Sequence, residues 1–229
     1  MTEPTSDKPA SSYHHGNLKQ ALVDAYIELL ESVPADKLSL RKLAAHVGVA
    51  PTAVYNHFAD KNALKAAVKL WVLRHFSLYL QTTATTAVEP EERIYQLGLI
   101  YYQYSVDHRH YYDRIYMDDV PPEYINDELI EASMAAEAQL RAAVVALLRQ
   151  HGLPTSQYNE GLGAFACWAM AHGVTSLAAC HVNLAACHTG RWPPEFMLQD
   201  SVAVKASFRA MTRVLVAGIL DAAKTSEEA

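Results

Sequence analysis

Glycine and proline are scarce, at nine and ten in 229 residues, too few for the turns of an all-β sandwich and far from collagen-like or linker composition. No stretch alternates apolar and polar residues for long enough to make a convincing strand, and no internal repeat is visible. Cysteine is rarer still. Cys167, Cys180 and Cys187 are the only three, and no cationic-then-apolar segment opens the chain, so neither a disulfide framework nor export is indicated and the expected compartment is a reducing cytoplasm. Charge is missing from one long stretch, Gly161 to Gly190, which holds no Asp, Glu, Lys or Arg. That length suffices to cross a bilayer. Its content is mostly Ala, Gly and small polar residues with His172, His181, His188 and Asn183, and few Leu, Ile or Phe, so no membrane partner is expected. A helix without a charged face is usually enclosed between protein surfaces.

What is present is an ordinary globular balance, 51% hydrophobic and 19% charged, too apolar for a disordered chain. The net charge of −6 hides an asymmetry: residues 1–75 hold nine Lys/Arg against seven Asp/Glu, the remainder ten against eighteen. A mildly basic head on an acidic body allows polyanion binding at one end, since phosphate attraction depends on local charge and fades over roughly 8 to 10 Å in physiological salt.

Residues 1–12 are Pro, Ser and Thr rich without apolar periodicity and read as a mobile arm. From Leu18 the spacing of Leu22, Ala25, Tyr26, Leu29 and Leu30 marks a helix face, with Asn17 as its cap and Val33-Pro34 as its end. Ser39 then caps a short helix whose inward face is Leu40, Leu43, Ala44 and Val47. Gly48 permits the left-handed turn that closes it, and Pro51 opens a second helix running to about Phe58. Val54 and Phe58 point inward from that second helix, leaving Thr52, Ala53, Tyr55, Asn56 and His57 outward. Longer helices are predicted over Asn62 to Thr82, Glu91 to His108, Pro121 to Gln150, Gln157 to Thr189 and Phe196 to Lys224, with a shorter one over His110 to Met117.

Two short helices joined by a tight glycine turn form a helix-turn-helix, whose second helix can enter the major groove, although many helical proteins contain such a corner for structural reasons alone. The segment VGVAPTAVYNHFADKNAL closely resembles the recognition segment of TetR-family transcription regulators, and YHHGNLKQALVDAY resembles the first helix of one large branch of that family; together they span about residues 13–65. The resemblance implies that Thr52, Ala53 and Asn56 face base edges or adjacent phosphates, and that Tyr55, His57 and Lys61 grip the backbone. Residue chemistry agrees: Asn pairs with adenine, Thr and Ala touch a thymine methyl, and Tyr, His and Lys hold phosphate oxygens. Ser39, Arg41 and Lys42 on the preceding helix complete the expected set. Each has a plainer reading: Tyr55 closing the small core, Arg41 and Lys42 as solvated charges, His57 as a structural donor. Ala50 departs from a common family form with Ser there, which removes a side-chain cap.

The resemblance also implies an all-α fold in which a divergent C-terminal domain dimerises and binds a small molecule. The expected division is an arm over 1–12, a DNA-binding domain over 13–62 and a ligand-binding and dimerisation domain over 63–229. The last two long helices would pair as a four-helix bundle across a two-fold axis, which matters because one recognition helix reads only a few bases. The motif CWAMAHG resembles the signature of the Trp-His-Gly type of C-terminal domain. Trp168 and His172 share a helix face and either line a ligand cavity or pack the core. Eight of the thirteen tyrosines fall within Tyr95 to Tyr124; of these Tyr101, Tyr104, Tyr112 and Tyr116 are the candidates for a pocket wall around an unknown organic ligand, with half-buried packing as the other reading. The pairs Cys180-His181 and Cys187-His188 suggest a metal, but seven helical residues separate them by about 10.5 Å, against a ligand distance of about 2.3 Å. No metal, cofactor or catalytic role is therefore expected. The sequence reads as a ligand-responsive repressor binding a pseudo-palindromic operator as a homodimer, with a helical scaffold or ligand carrier as the alternative.

Overall fold

The computed structural model describes residues 17–84, 88–116, 119–179, 193, 196 and 198–225. Among the described residues there are nine α-helices and no strand. They are α1 (Leu18–Leu30), α2 (Leu40–Val47), α3 (Pro51–Tyr55), α4 (Lys61–Thr83), α5 (Pro90–Asp107), α6 (Arg109–Tyr116), α7 (Asp127–Gln150), α8 (Gln157–Ala178) and α9 (Ser201–Thr225). Single tight turns at Ala35–Lys37 and Pro122–Tyr124 sit between them. No helix among the described residues is long and apolar enough to cross a membrane. The chain forms two compact units, Met1–Val68 and Lys69–Ala229, the division falling within α4.

Helix ends follow local chemistry. The side chains of Asn17, Ser39, Asn126 and Ser156 each accept a hydrogen bond from the amide three residues on, so the first turns of α1, α2, α7 and α8 have a partner for an otherwise orphaned N–H. Asp60 Oδ1 does the same for α4, accepting from the amides of Asn62 and Ala63 at 2.8 and 2.9 Å. Ala50 offers no side-chain cap to α3. At Gly48 (φ 76°) α2 closes in a left-handed turn, with the Val49 amide on Ala44 O and the Gly48 amide on Ala45 O. That is the Schellman arrangement, and its positive φ is why glycine stands there.

In the first unit Leu22, Tyr26 and Leu30 of α1, Leu43 and Ala44 of α2, Val54 of α3, Phe58, and Leu64 and Val68 of α4 are all buried. In the second unit α5 packs on α6, α7, α8 and α9, and α8 packs on α5, α7 and α9. Two glycines set how closely these helices approach. A Cβ at Gly163 of α8 would lie 2.6 Å from Val144 Cγ1 of α7, and one at Gly98 of α5 would meet the Phe208 ring of α9 at 2.9 Å. Arg209 of α9 joins Glu92 of α5 through both terminal guanidinium nitrogens and lies 3.4 Å over the Tyr95 ring, combining a forked ion pair with a cation–π contact.

Several boundaries differ from the periodicity. α3 stops at Tyr55 rather than near Phe58, because the amides of both His57 and Phe58 turn back onto Val54 O and swing the Phe58 ring into the core. α7 begins at Asp127, not Pro121, since Pro121 and Pro122 are spent on the preceding turn and Asn126 is the cap. α9 begins at Ser201, where Asp200 Oδ1 accepts from the amides of Val202 and Ala203, rather than at Phe196. The helix expected to reach Thr189 is described to Ala178, and Cys180, His181, Cys187 and His188 lie outside the described residues.

Candidate nucleic-acid interface and ligand cavity

The first unit presents one uncharged face. Val54 is fully buried beneath α3, and burial of that single side chain directs the rest of the helix outward. Thr52, Tyr55, Asn56 and His57 are exposed, with Tyr55 at 50%, and Ala53 is partly so. Arg41 and Lys42 are exposed on α2, whose Ser39 hydroxyl is engaged by the Lys42 amide at 3.2 Å. Two of the expected phosphate-gripping lysines hold backbone carbonyls instead of standing free. Lys42 Nζ donates to Lys37 O at 3.0 Å, and Lys61 Nζ donates to Ala35 O at 2.9 Å from a half-buried position. Both clamp the turn before α2. Lys37, exposed in that turn, adds a positive charge which the sequence reading did not single out.

The second unit encloses a cavity of about 490 Å³ between α4, α5, α6, α7 and α8, a size that suits a drug-like molecule. Most of its wall is apolar, including Leu73, Phe76 and Leu80 of α4, Leu140 of α7 and Met170 of α8. The sequence reading missed these residues. Their three- and four-residue spacing was visible, but the same spacing describes a filled core.

Of the six residues expected to line a pocket, Tyr101, Tyr116 and Trp168 do so. Tyr112 and His172 stand behind them: Tyr101 Oη lies 2.8 Å and Tyr112 Oη 3.1 Å from His172 Nδ1, with the two hydroxyls 3.4 Å apart. Tyr104 is not part of this wall. It is fully buried and its hydroxyl meets His75 Nδ1 at 3.2 Å, in a second aromatic group with Tyr79, His108 and Tyr111.

Trp168 Nε1 donates to Tyr116 Oη at 3.4 Å. Trp168 and Phe165 line the cavity while remaining 41% and 61% exposed, which marks its mouth. Burial pushes the phenols of Tyr101 and Tyr116 above the usual tyrosine range, and neighbouring phenols reinforce the shift at Tyr101; the bonds from Tyr101 and Trp168 oppose it at Tyr116. These hydroxyls stay protonated and neutral. Burial likewise pushes the Cys167 thiol up to about 12.

Residues 22–68, which include α2, the glycine turn and α3, match the sequence model for bacterial regulatory proteins of the tetR family. The N-terminal unit is a TetR-family domain. The whole chain has the fold of TetR-family transcription regulators, whose known structures it follows nearly end to end. A protein of unknown function from Rhodococcus sp. RHA1 is 23% identical over 91% of this chain and 98% of its own, with a TM-score of 0.66. A transcriptional regulator of the TetR/AcrR family from Thermobifida fusca is 13% identical over 88% and 97%, with a TM-score of 0.58. The TetR-family transcriptional regulator PfmR from Thermus thermophilus is 16% identical over 85% and 96%, with a TM-score of 0.54. Among curated proteins no sequence matches. The Trp-His-Gly subtype is carried by the CWAMAHG motif alone.

Proposed function

We propose that this TetR-family chain is a repressor that binds a pseudo-palindromic operator as a homodimer in the cytoplasm and releases it when a small organic molecule enters the cavity of the second unit. The observation that carries this reading is the outward, uncharged α3 face over a buried Val54. A helix in the major groove must offer neutral donors, acceptors and methyl groups to base edges, with cations kept to its flanks. Thr52, Ala53 and Asn56 are the base readers. Ser39, Arg41, Tyr55 and His57 hold phosphates, and Lys42 adds its charge beside them while bonded to Lys37 O. Lys61 works from within, clamping the turn beneath α2 and adding its charge to the start of α4.

The last two helices form the dimer contact, for which the exposed apolar residues Leu177 of α8 and Val202, Met211 and Val214 of α9 are suited. Release follows from linkage: a ligand that favours a dimer with misplaced recognition helices lowers operator affinity by the same factor by which DNA lowers ligand affinity. α4 belongs to both functions, since Leu64 and Val68 complete the first core while Leu73, Phe76 and Leu80 line the cavity.

A gel shift on the chain's own upstream region tests the reading, with random duplex as competitor at several salt concentrations. Tyr55→Ala or Arg41→Ala is expected to weaken binding about tenfold or more, and Asn56→Ala to reduce preference over random duplex. Equal affinity for both duplexes would favour a scaffold or ligand carrier.

A further inference from the structure

We infer that the cavity takes a neutral, mostly apolar molecule whose one hydrogen-bonding group is a carbonyl oxygen, seated at the mouth between the Tyr116 hydroxyl and the Trp168 indole N–H. The inference rests on the proposal that the cavity is a ligand site, and deepens it by naming what the site selects.

Two hydrogen-bond donors meet at this mouth, the Trp168 indole N–H and the Tyr116 hydroxyl. An indole N–H can only donate, and it is spent on Tyr116 Oη at 3.4 Å, well beyond the usual 2.9 to 3.0 Å of an N–H···O bond. Tyr116 therefore accepts from Trp168 and from Tyr101, and its own hydrogen is directed to the cavity. Tyr101 and Tyr112 are engaged with His172 Nδ1 and with each other behind the wall. Tyr116 and Trp168 both border the cavity, and a carbonyl oxygen has two lone pairs, enough to take the Tyr116 hydrogen and to receive the indole hydrogen in exchange for its long bond to Tyr116.

At the tyrosine end of the cavity, charge decides against an anion. The charged side chains on the wall are Lys69 and Glu137, opposite in sign, and Glu137 is paired with Arg141 Nη2 at 2.6 Å. Lys69 stands seven residues before Phe76 on α4, about 10 Å along the axis, and Phe76 is the residue whose ring meets Tyr101 edge-on at 5.8 Å. The tyrosine end thus faces phenols, indole and hydrocarbon without a cation supplied by lysine or arginine on the wall. A carboxylate placed there loses its hydration without a partner of opposite charge. A ketone or ester loses far less and gains two donors.

Isothermal titration of the full chain with three molecules of one shape separates these contributions: para-butylacetophenone, para-butylbenzoate and para-butylcumene, which offer a carbonyl, a carboxylate and no oxygen. The ketone is expected to bind about tenfold or more tightly than either of the others. Tyr116→Phe, whose melting curve checks that the fold is kept, is expected to weaken the ketone about three- to tenfold and to leave the hydrocarbon within twofold. Trp168→Phe is expected to act in the same direction. The inference is overturned if the benzoate binds as tightly as the ketone, if Tyr116→Phe weakens ketone and hydrocarbon equally, or if no ketone binding is seen up to its solubility limit. No DNA is present, so failure of operator binding leaves this result standing. Ketone binding that does not release operator would contradict the proposed release and not the chemistry of the site.

Discussion

Cys167 lies on the cavity wall with its side chain buried, and burial governs what its sulfur can do. An ordinary thiol ionises near 9, and here the value is about 12, so at any given pH below 9 the thiolate fraction is roughly a thousandfold lower than in an exposed cysteine. Iodoacetamide at pH 8 is expected to leave Cys167 unmodified in the folded chain over an hour and to modify it fully in urea, as read by peptide mass mapping. Rapid native modification would show that the site is open. The sign for stability follows from the same numbers. The folded value exceeds the unfolded one, so the thiol's contribution is complete below about 9 and is lost as the pH climbs from 9 toward 12. Tyr101 and Tyr104, both pushed upward by burial, lose theirs in the same direction above the ordinary phenol range. The tyrosine cluster also marks how far single residues could be read from the sequence. Its concentration in one stretch was plain, but helical phase alone did not divide Tyr101 and Tyr116, on the cavity, from Tyr104, on His75.

Between α7 and α8 the separation is set by an absent side chain. Gly163 packs directly on Val144, with Ile219 of α9 at 3.5 Å from the same notional Cβ. Adding one carbon forces a methyl group of a fully buried valine aside, and overpacking of this kind costs about 1 to 3 kcal/mol. Gly163→Ala is expected to lower the stability read from urea unfolding by that amount. Combining it with Val144→Ala, which removes the obstructing methyls, should recover part of the loss, and strict additivity of the two would refute the steric account. Elements of this kind were the most legible part of the fold. Apolar spacing found α1, α2, α4 and α5, and Asn17, Ser39 and Gly48 marked the ends of the first two, because capping and left-handed turns depend on a few residue types at fixed offsets. The misplaced starts of α7 and α9 have one cause: a helical hydrophobic pattern continues through a proline turn or an aspartate cap without registering it. The α2–α3 corner was legible because each half is short and its turn is chemically unambiguous. The cavity was not, because an empty space and a filled core present the same periodic wall.

For the proposed operator complex the governing quantity is assembly, since one α3 would cover only a few bases and a two-fold pair spaced about 34 Å, or a multiple, reads a long site. α9 turns an uneven face outward: Val204, Phe208, Val216 and Ile219 are buried, while Val202 and Val214 are over two-thirds exposed. Exposed valines on a helix that already has a filled inner face contribute nothing to the folding of a lone chain, yet they suit a second copy. A glutamate at such a position costs little in the isolated subunit and places a carboxylate, with its symmetry mate, in an interface that excludes water. Val214→Glu is therefore expected to leave the helical circular dichroism of the chain unchanged and to shift sedimentation from two copies to one. Operator affinity should fall at least tenfold while affinity for a single half-site stays within about threefold, because the α2–α3 face is untouched. Dimers persisting in Val214→Glu would move the contact away from this stretch of α9. A monomer with undiminished operator affinity would mean that the two recognition helices bind independently.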